Sequence, residues 1–463
     1  MSRINTNVNA LISSRVMNQN NASLNKSLER LSTGLRINRG SDDPAGLIAS
    51  ENLRADKQGI TTAIANGERA NAIISTAEGA LNEVSGMLIK LQDLVGGAAS
   101  SGGLTQEEID ANQSQVDSIV STINRISSET SFQGMKLLNG NLDFEATTSG
   151  VGINDLTING AKLGTATSMT GAVKVQTAAT RGAQMGAATT AAADVTVEIT
   201  GSKGSRVFSF GTSATVAQMV ATIVAAKDLT GVSAKLSAGL ALMSTEYGAD
   251  QFVQTKALAG AFGTDARTAG TDAVVMINGQ QAAVDGYKVS LRADNLNVDF
   301  NMSDAFAGAV GVASFRITGG GAKFSLSSSA GSAGQEVIGV QSVASHKLGN
   351  VATGFVSEIT TGKTNSLSNK PDVAQSIVSA AIKQVATMRG RLGSFQTNTV
   401  GSTLNSLQVS LENVTAAESA IRDTDFASET SSMTRSQIMV SAATSVLSMA
   451  NSAPQSVLTL LRG

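Results

Sequence analysis

Apolar residues in the first forty positions fall at helical spacing. Ile4, Val8 and Leu11 are 4 and 3 apart, and Leu24, Leu28, Leu31 and Leu35 are 4, 3 and 4 apart, so each set lies on one helix face. Between the sets the pattern lapses through Asn18, Gln19, Asn20 and Asn21. A new start follows: Asp43 is placed to cap a helix, and Pro44 takes its first position, where a missing N–H costs nothing. From there Ile60, Ala63, Gly67, Ala70, Ile74, Ala77, Leu81, Val84, Leu88, Leu91 and Val95 alternate at 3 and 4, a coiled-coil seam. It stops at Gly96-Gly97 and a Ser/Gly turn. Thr105 with Glu108 then forms a capping box before Ile109, Val116, Ile119, Ile123 and Ile126. Two amphipathic stretches joined by a short loop predict an antiparallel helix hairpin.

The period then changes. Asn139-Gly140, flanked by Leu137, Leu138, Leu142 and Phe144, predicts a hairpin turn. Ile158-Asn159-Gly160, Ile199-Thr200-Gly201, Ile277-Asn278-Gly279 and Ile317-Thr318-Gly319 sit near β-branched runs and predict repeated strand–turn–strand units. Thr215 to Ala226 reads as one short helix inside them. Helical spacing returns at Pro371, with Val378, Ala381, Val385, Met388, Leu392 and Phe395. After a phase slip it resumes as Val400, Leu404, Leu407, Leu411 and Val414. Last, Met433, Val440 and Leu447 recur every seven residues, with Leu461 on the same series. The positions three further on are Ser436, Ala443, Ala450 and Val457, so the seam pairs a large with a mostly small residue and admits a close neighbour. Pro454 interrupts this series and predicts a kink or a restart.

Composition sharpens the division. The chain has 463 residues with 13 phenylalanines and 2 tyrosines, most of them between 171 and 365, whereas its 3 prolines all lie outside that stretch. The ends therefore pack with aliphatic side chains and the middle has another kind of core. The fold class is α+β: helices from both chain ends form a terminal bundle around a β-rich insertion. The expected divisions are 1–43, 44–170, 171–365, 366–422 and 423–463.

Several chemistries are excluded. With no cysteine and 1 histidine, the chain offers no disulfide, thiol nucleophile or multi-histidine metal site. A net charge of −2 gives no global footprint for nucleic acid or anionic lipid. No apolar run is long enough to span a membrane, and Met1 to Asn21 has no apolar core of a secretory signal. His346 reads as a surface residue, and Asp423 and Asp425 as acids favoured at a helix start. No constellation supports an enzyme or a cofactor.

The two helical seams lie at opposite ends of the chain, and neither has a partner nearby in sequence. The economical fold brings the ends together. Their outermost segments, 1–40 and 423–463, each offer a narrow, weakly charged apolar stripe, marginal in isolation. They suit a subunit that polymerises through its termini by coupled folding and binding. Arg3, Arg15, Lys26, Arg30, Arg36 and Arg39 against Glu29 alone add a basic N-terminal segment.

Leu31-Ser32-Thr33-Gly34-Leu35-Arg36-Ile37-Asn38 and Ser41-Asp42-Asp43-Pro44-Ala45-Gly46-Leu47 resemble the N-terminal signature of bacterial flagellins. Ile4-Asn5-Thr6-Asn7, Ala80-Leu81-Asn82-Glu83 and Phe132-Gln133-Gly134 fit the same pattern. So do Ala417 to Ala427 and Ala453 to Leu458 at the other end. The resemblance covers 1–170 and 365–463, while the middle matches only through its Ile-Asn-Gly segments. It implies an extracellular filament subunit, exported unfolded through the flagellar type III channel. The implied partners are further copies of itself, an export chaperone at the C-terminus, a cap protein and hook–filament junction proteins. It implies an inner tube built with Ile4, Val8, Leu11, Leu24, Leu28, Leu31, Leu35, Met433, Val440, Leu447, Val457 and Leu461. The next shell would be built with Ile74, Leu81, Val84, Leu88, Leu91, Val385, Met388 and Leu392. It also implies an innate-immune receptor patch at Leu88, Lys90, Leu94 and Gln115. Lys90 replaces the usual arginine and Gln115 the usual glutamate there, which weakens the contact. A junction protein, or an adhesin with its specificity in 171–365, is the alternative reading.

Overall fold

The computed structural model describes residues 6–99, 105–149, 152–164, 166–186, 194–237, 239–263, 265–328, 331 and 334–462, with side-chain surroundings to Ala453. Helices α1 (Val8–Thr33), α2 (Pro44–Ala99) and α3 (Gln106–Glu129) come first. The β-rich middle holds α4 (Val216–Ala225) and the short α5 (Lys227–Thr230) and α6 (Asp304–Ala307). Then follow α7 (Pro371–Ser394), α8 (Ser402–Arg422) and α9 (Phe426–Arg462). The architecture is α+β, as the periodicity predicts. One unit comprises Met1–Asn66, Leu326–Ala330 and Ser402–Gly463, and the other Gly67–Ser325 and Gly331–Gly401.

The helix starts follow from their caps. Asp43 Oδ1 accepts the Gly46 N–H at 2.9 Å. A Cβ on Gly46 would lie 2.5 Å from the Asp43 carboxylate and 2.7 Å from the Ile37 side chain, so glycine is what lets the cap close over buried Ile37. Thr105 and Glu108 complete both arms of their capping box, and Thr215 with Gln218 does the same for α4.

Where the apolar pattern lapses at Asn18–Asn21, helix α1 continues, and Asn20 uses its side chain on another helix: Nδ2 donates to the Met439 carbonyl at 3.4 Å. Three expectations are corrected. Pro454 causes no restart, since α9 continues to Arg462. The turn at Asn139-Gly140 is not a hairpin. Leu137 to Gly140 are bends outside any strand, and adjacent Leu137 and Leu138 are both fully buried. The hairpin lies earlier, between Ser131–Phe132 and Met135–Lys136, with Gln133 and Gly134 at φ 49° and 85°. Finally, two of the four Ile-x-Gly segments are not turns. Asn278-Gly279 is one, with φ 51° and 84°, and Gly201 ends the strand Val195–Gly201. Asn159 and Thr318 are instead skipped in their strand registers, as bulge residues are: Asn297 and Val298 face Gly160 and Ile158, while Ile317 and Gly319 face Ala146 and Glu145.

The phase slip after Phe395 has a structural cause. Phe395–Gly401 is a π-helical segment, whose wider turn shifts the stripe before α8 resumes it. In the second unit the seam is the core: Leu81, Val84, Leu88, Leu91 and Val385 have no exposed surface, and Ile74, Met388 and Leu392 have 2% or less. Arg389 reaches Glu78 at 4.0 Å and Gln396 donates to Ser75 at 3.2 Å, which sets α2 and the α7 end antiparallel. Two polar residues on α3 fasten the 356–367 segment. Gln113 donates to the Ile359 carbonyl and accepts from Leu367 N, while Asp117 accepts from Thr361 N.

The β-rich part contains two cores. The first joins Phe144, Ile158, Val173, Val275, Val298, Phe300 and Phe315 from a five-stranded and a four-stranded sheet. Its strands begin at Phe144 and end at Gly320. The second joins Val197, Phe208, Phe210, Leu240, Val253 and Phe262 with Met219 and Ile223 of α4. It lies wholly within 195–262, so it is nested inside the first. The chain crosses between them at Thr180 and Thr271, which form an antiparallel bridge with their hydroxyls 2.8 Å apart. Beside the crossing Arg181 makes two 2.8 Å bonds to Asp304 and stacks over Tyr247, whose ring meets Tyr287 edge-on. Tyr287 donates to Asp304, and burial pushes its phenol up to about 12. Because the crossing strands are already adjacent, replacing 181–270 by a short Gly-Ser link is expected to leave the first core folded. A cooperative thermal transition, with helix content reduced only by the loss of α4 and α5, checks this; a molten first core would contradict the nesting.

Candidate assembly surface of the terminal helices

Helices α1 and α9 pair with each other. Asn7 Nδ2 donates to the Ala450 carbonyl at 2.6 Å, Thr444 Oγ1 to Met17 Sδ at 3.9 Å and Arg30 to Glu429 at 3.4 Å, so low numbers meet high and the pair is antiparallel. On α9 the least exposed positions are Glu429, Met433, Ser436, Val440, Ala443, Leu447 and Ala450, and all but Glu429 belong to the large-and-small series read from the sequence. The α1 side follows a heptad the sequence reading missed. Ala10, Met17, Leu24 and Leu31 recur every seven residues, with Ser13, Asn20, Ser27 and Gly34 three positions on, and all are half-buried or buried. Its polar members hid it from a search for apolar residues. The register sets small against large: Met17 is level with Ala443 and Ser27 with Met433.

The expected inner-tube residues therefore divide. Leu24, Leu31, Leu35, Met433, Val440 and Leu447 are half-buried, all but Leu35 on the two heptad series. Val8, Leu11 and Leu28 are 52%, 64% and 48% exposed and face away from α9. Ile4 lies outside the described residues, and Val457 and Leu461 lie in the part of α9 whose side chains are not described. With Val8 and Leu11 stand Ile12 and Val16, and on the outer face of α9 stand Ile438, Met439, Val446 and Met449, all exposed. A shallow groove runs along α9 past Phe426, Thr430, Thr434 and Ile438. Each helix thus has two apolar faces, one spent on its partner and one open.

The far end of the pair is clasped by the segments that carry the family resemblance. Gly34, at φ 72°, ends α1 and lets the chain turn. Leu35 then forms a β-bridge with Asp423, and Thr424 N donates to the Gly34 carbonyl. Arg36 donates to the Ile421 carbonyl at 2.6 Å at the C-terminal end of α8, where a cation suits the helix dipole. Asp425 caps α9 by accepting from Ala427 and Ser428, as the sequence predicts. Arg54 and Lys57 of α2 meet Glu418, and Glu51 meets Arg422. Most of the basic N-terminal residues are thus paired within the chain.

Asp42 organises the loop before α2. Its carboxylate accepts from Lys26 at 3.0 Å and from the Arg39 and Asn38 amides, and the Lys26 bond first, with Arg39 next, holds it below the ordinary carboxylate value of 3.8. A depressed pKa stabilises the clasp above that ordinary value, and the contribution fades as pH falls through the lower folded one. Amide protection at Asn38 and Arg39, measured against the intrinsic exchange rate at each pH, is therefore expected to fall below pH ~4, and Asp42→Asn to remove that acid dependence. Protection that stays constant through that range in the native protein would contradict the clasp.

In the second unit the expected receptor patch needs one correction. Leu88 has no exposed surface, because its place in the 3/4 seam turns it inward. Lys90 and Gln115 are exposed, Leu94 is half-buried, and Ile89 is the exposed apolar neighbour.

Comparison with known proteins places both ends in one family. Residues 4–143 match the bacterial flagellin N-terminal helical region, and 375–461 the bacterial flagellin C-terminal helical region. Flagellin B of Vibrio cholerae is 31% identical over 462 residues, covering 99% of each chain. Flagellin of Salmonella typhimurium is 28% identical over 519 residues, again 99% of each. Among solved structures, FliC from Burkholderia pseudomallei is 18% identical, covers 71% of this chain and 99% of its own, and has a TM-score of 0.24.

Proposed function

The chain belongs to the bacterial flagellin family and is a structural subunit of the flagellar filament, and from that premise we propose that it polymerises through the open faces of its α1–α9 pair. The observation that carries this reading is the second apolar stripe on each helix: Val8, Leu11, Ile12 and Val16 on one, Ile438, Met439, Val446 and Met449 on the other. Stripes of this kind are burdens on a monomer and become buried between copies. The inner-tube and shell residues named from the sequence then act at two levels, within the chain and between chains. The matches over both terminal regions favour the filament subunit over a junction protein or an adhesin.

The finer reading is that the subunit is exported unfolded, guarded by a chaperone at its C-terminus, and added beneath a cap on a base of junction proteins, outside the cell. The absence of cysteine and the marginal termini suit such a passage. Lys90, Leu94 and Gln115 are the residues we assign to an innate-receptor contact.

Outward-face substitutions test the assembly. Leu11→Asp and Ile438→Asp are expected to leave the α1–α9 pair folded, because neither side chain faces the intrachain seam. They are expected to abolish seeded filament growth, scored by electron microscopy. Normal filaments from both variants would remove these faces from the interface.

A further inference from the structure

The sulfur chemistry of this chain is all methionine. It has 14 methionines and neither cysteine nor tryptophan, so thioethers are its most readily oxidised side chains. Their settings differ. Met219, Met302 and Met388 are buried. Met17 and Met433 are half-buried in the α1–α9 seam, and the Met17 sulfur accepts from the Thr444 hydroxyl. Among the described residues Met135, Met185, Met439 and Met449 are exposed.

The last two share one surface. With 3.6 residues per turn, Ile438, Met449, Val446 and Met439 fall within about 100° of arc on α9, on the side away from Val440, Ala443 and Leu447. Met439 is 49% and Met449 63% exposed, and Met439 lines the groove beside Ile438. They supply two of the four large apolar side chains on the face assigned to contacts between copies. Arg435 is the only charge between Glu429 and Arg462, so this face owes its character almost wholly to apolar atoms.

A hydroperoxide changes that character without breaking the chain. Its O–O bond breaks, one oxygen bonds to sulfur as the sulfoxide, and water leaves, so the sulfur is oxidised and the peroxide reduced. The product is a polar acceptor on what was an apolar side chain. On a free subunit water satisfies it; between copies it must be buried. We propose that Met439 and Met449 form a reversible oxidation site that gates assembly: as sulfoxides they keep the subunit from adding to a filament, and reduction restores it. The gate rests on the open α9 face being the polymerising surface. Once copies cover that face the sulfurs are enclosed, so the gate acts on subunits not yet added.

The test treats the full-length monomer with hydrogen peroxide, follows each methionine by peptide mass spectrometry and scores seeded growth by electron microscopy. Met439 and Met449 are expected to oxidise ahead of Met17 and Met433. Their conversion is expected to raise the protein concentration needed for growth ~10-fold or more, the effect of burying an unpaired polar group. Methionine sulfoxide reductase with a thiol reductant is expected to restore growth. The double variant Met439→Leu, Met449→Leu keeps volume and apolar character and is expected to grow equally with and without peroxide. In preformed filaments, which need no variant, both sulfurs are expected to stay reduced at the same dose. Three results would overturn the gate: native growth with both sulfoxides in place; peroxide arrest of the double variant, which puts the sensitive group elsewhere; and equal oxidation in filament and monomer, which leaves the sulfurs uncovered. Ile438→Asp keeps the two readings apart. If the oxidised chain grows and Ile438→Asp does not, the gate alone falls; if both grow, the polymerising face falls with it.

Discussion

Ala443→Asp is expected to yield a subunit that forms no filaments while its second unit melts as in the native protein. Ala443 is 8% exposed and stands level with Met17, at a point where the helices approach through a small residue. A carboxylate there must either lose water without a partner, at a cost of several kcal/mol, or take up a proton. The pair has little to set against that cost. Most of its seam is only half-buried, and Ser27 and Ala443, 6% and 8% exposed, are its most buried positions among the described side chains. Separated helices of this composition are marginal in water, so the expected signature is rapid amide exchange along both α1 and α9. Met433, Val440 and Leu447 would lose their partners, and the open stripes would no longer be held in one geometry. The contrast with Ile438→Asp is informative. Both variants fail to polymerise, but only Ala443→Asp releases the helices of the monomer. Filaments from Ala443→Asp at native yield would sink the close-packed seam.

How far the chain could be read depended on what each residue does with its side chain. The α2 stripe was legible because every third or fourth residue is apolar and buried, from Ile60 to Val95. The caps at Asp43 and Thr105 were legible because capping is local chemistry, settled within four residues. The α9 seam was legible as a strict seven-residue series. The α1 seam was not, because Asn20, Ser27 and Ser13 occupy places that an apolar search passes over. Its more visible leucines and valines, Val8, Leu11 and Leu28, lie on the other face. A search for the α1 partner of a known small-residue seam would have found the series. The Ile-x-Gly segments misled for a related reason. Glycine next to a β-branched residue marks a departure from the regular ladder, but a bulge and a turn both satisfy that description. Only the partner strand decides between them, as Asn297 and Val298 do at Asn159. The first β-core was beyond local reading altogether, since Val173 meets Ala313 and Ile277 across long stretches of intervening chain.

Leu88→Ala is expected to cost the second unit ~2–5 kcal/mol, whereas Ile89→Ala, one residue away, is expected to change stability by less than ~1 kcal/mol. Leu88 has no exposed surface and Ile89 is 51% exposed, so the two differ by the rotation of one residue about α2. Truncating Leu88 removes buried methyl groups and leaves a cavity that the flanking Leu81, Val84 and Leu91 can fill only partly, because each is itself fully enclosed. Denaturant unfolding of the full chain measures both variants, and a fall in the midpoint without a change in slope identifies the loss as one of stability. The same pair separates packing from recognition on this turn. If the assigned receptor contact is made by the exposed side chains, Lys90→Arg strengthens it by restoring a planar, forked donor without altering stability. Leu88→Ala then weakens recognition only in proportion to the fraction unfolded. Equal costs at 88 and 89 would contradict the inward setting of the seam, and with it the placement of Leu88 in the shell.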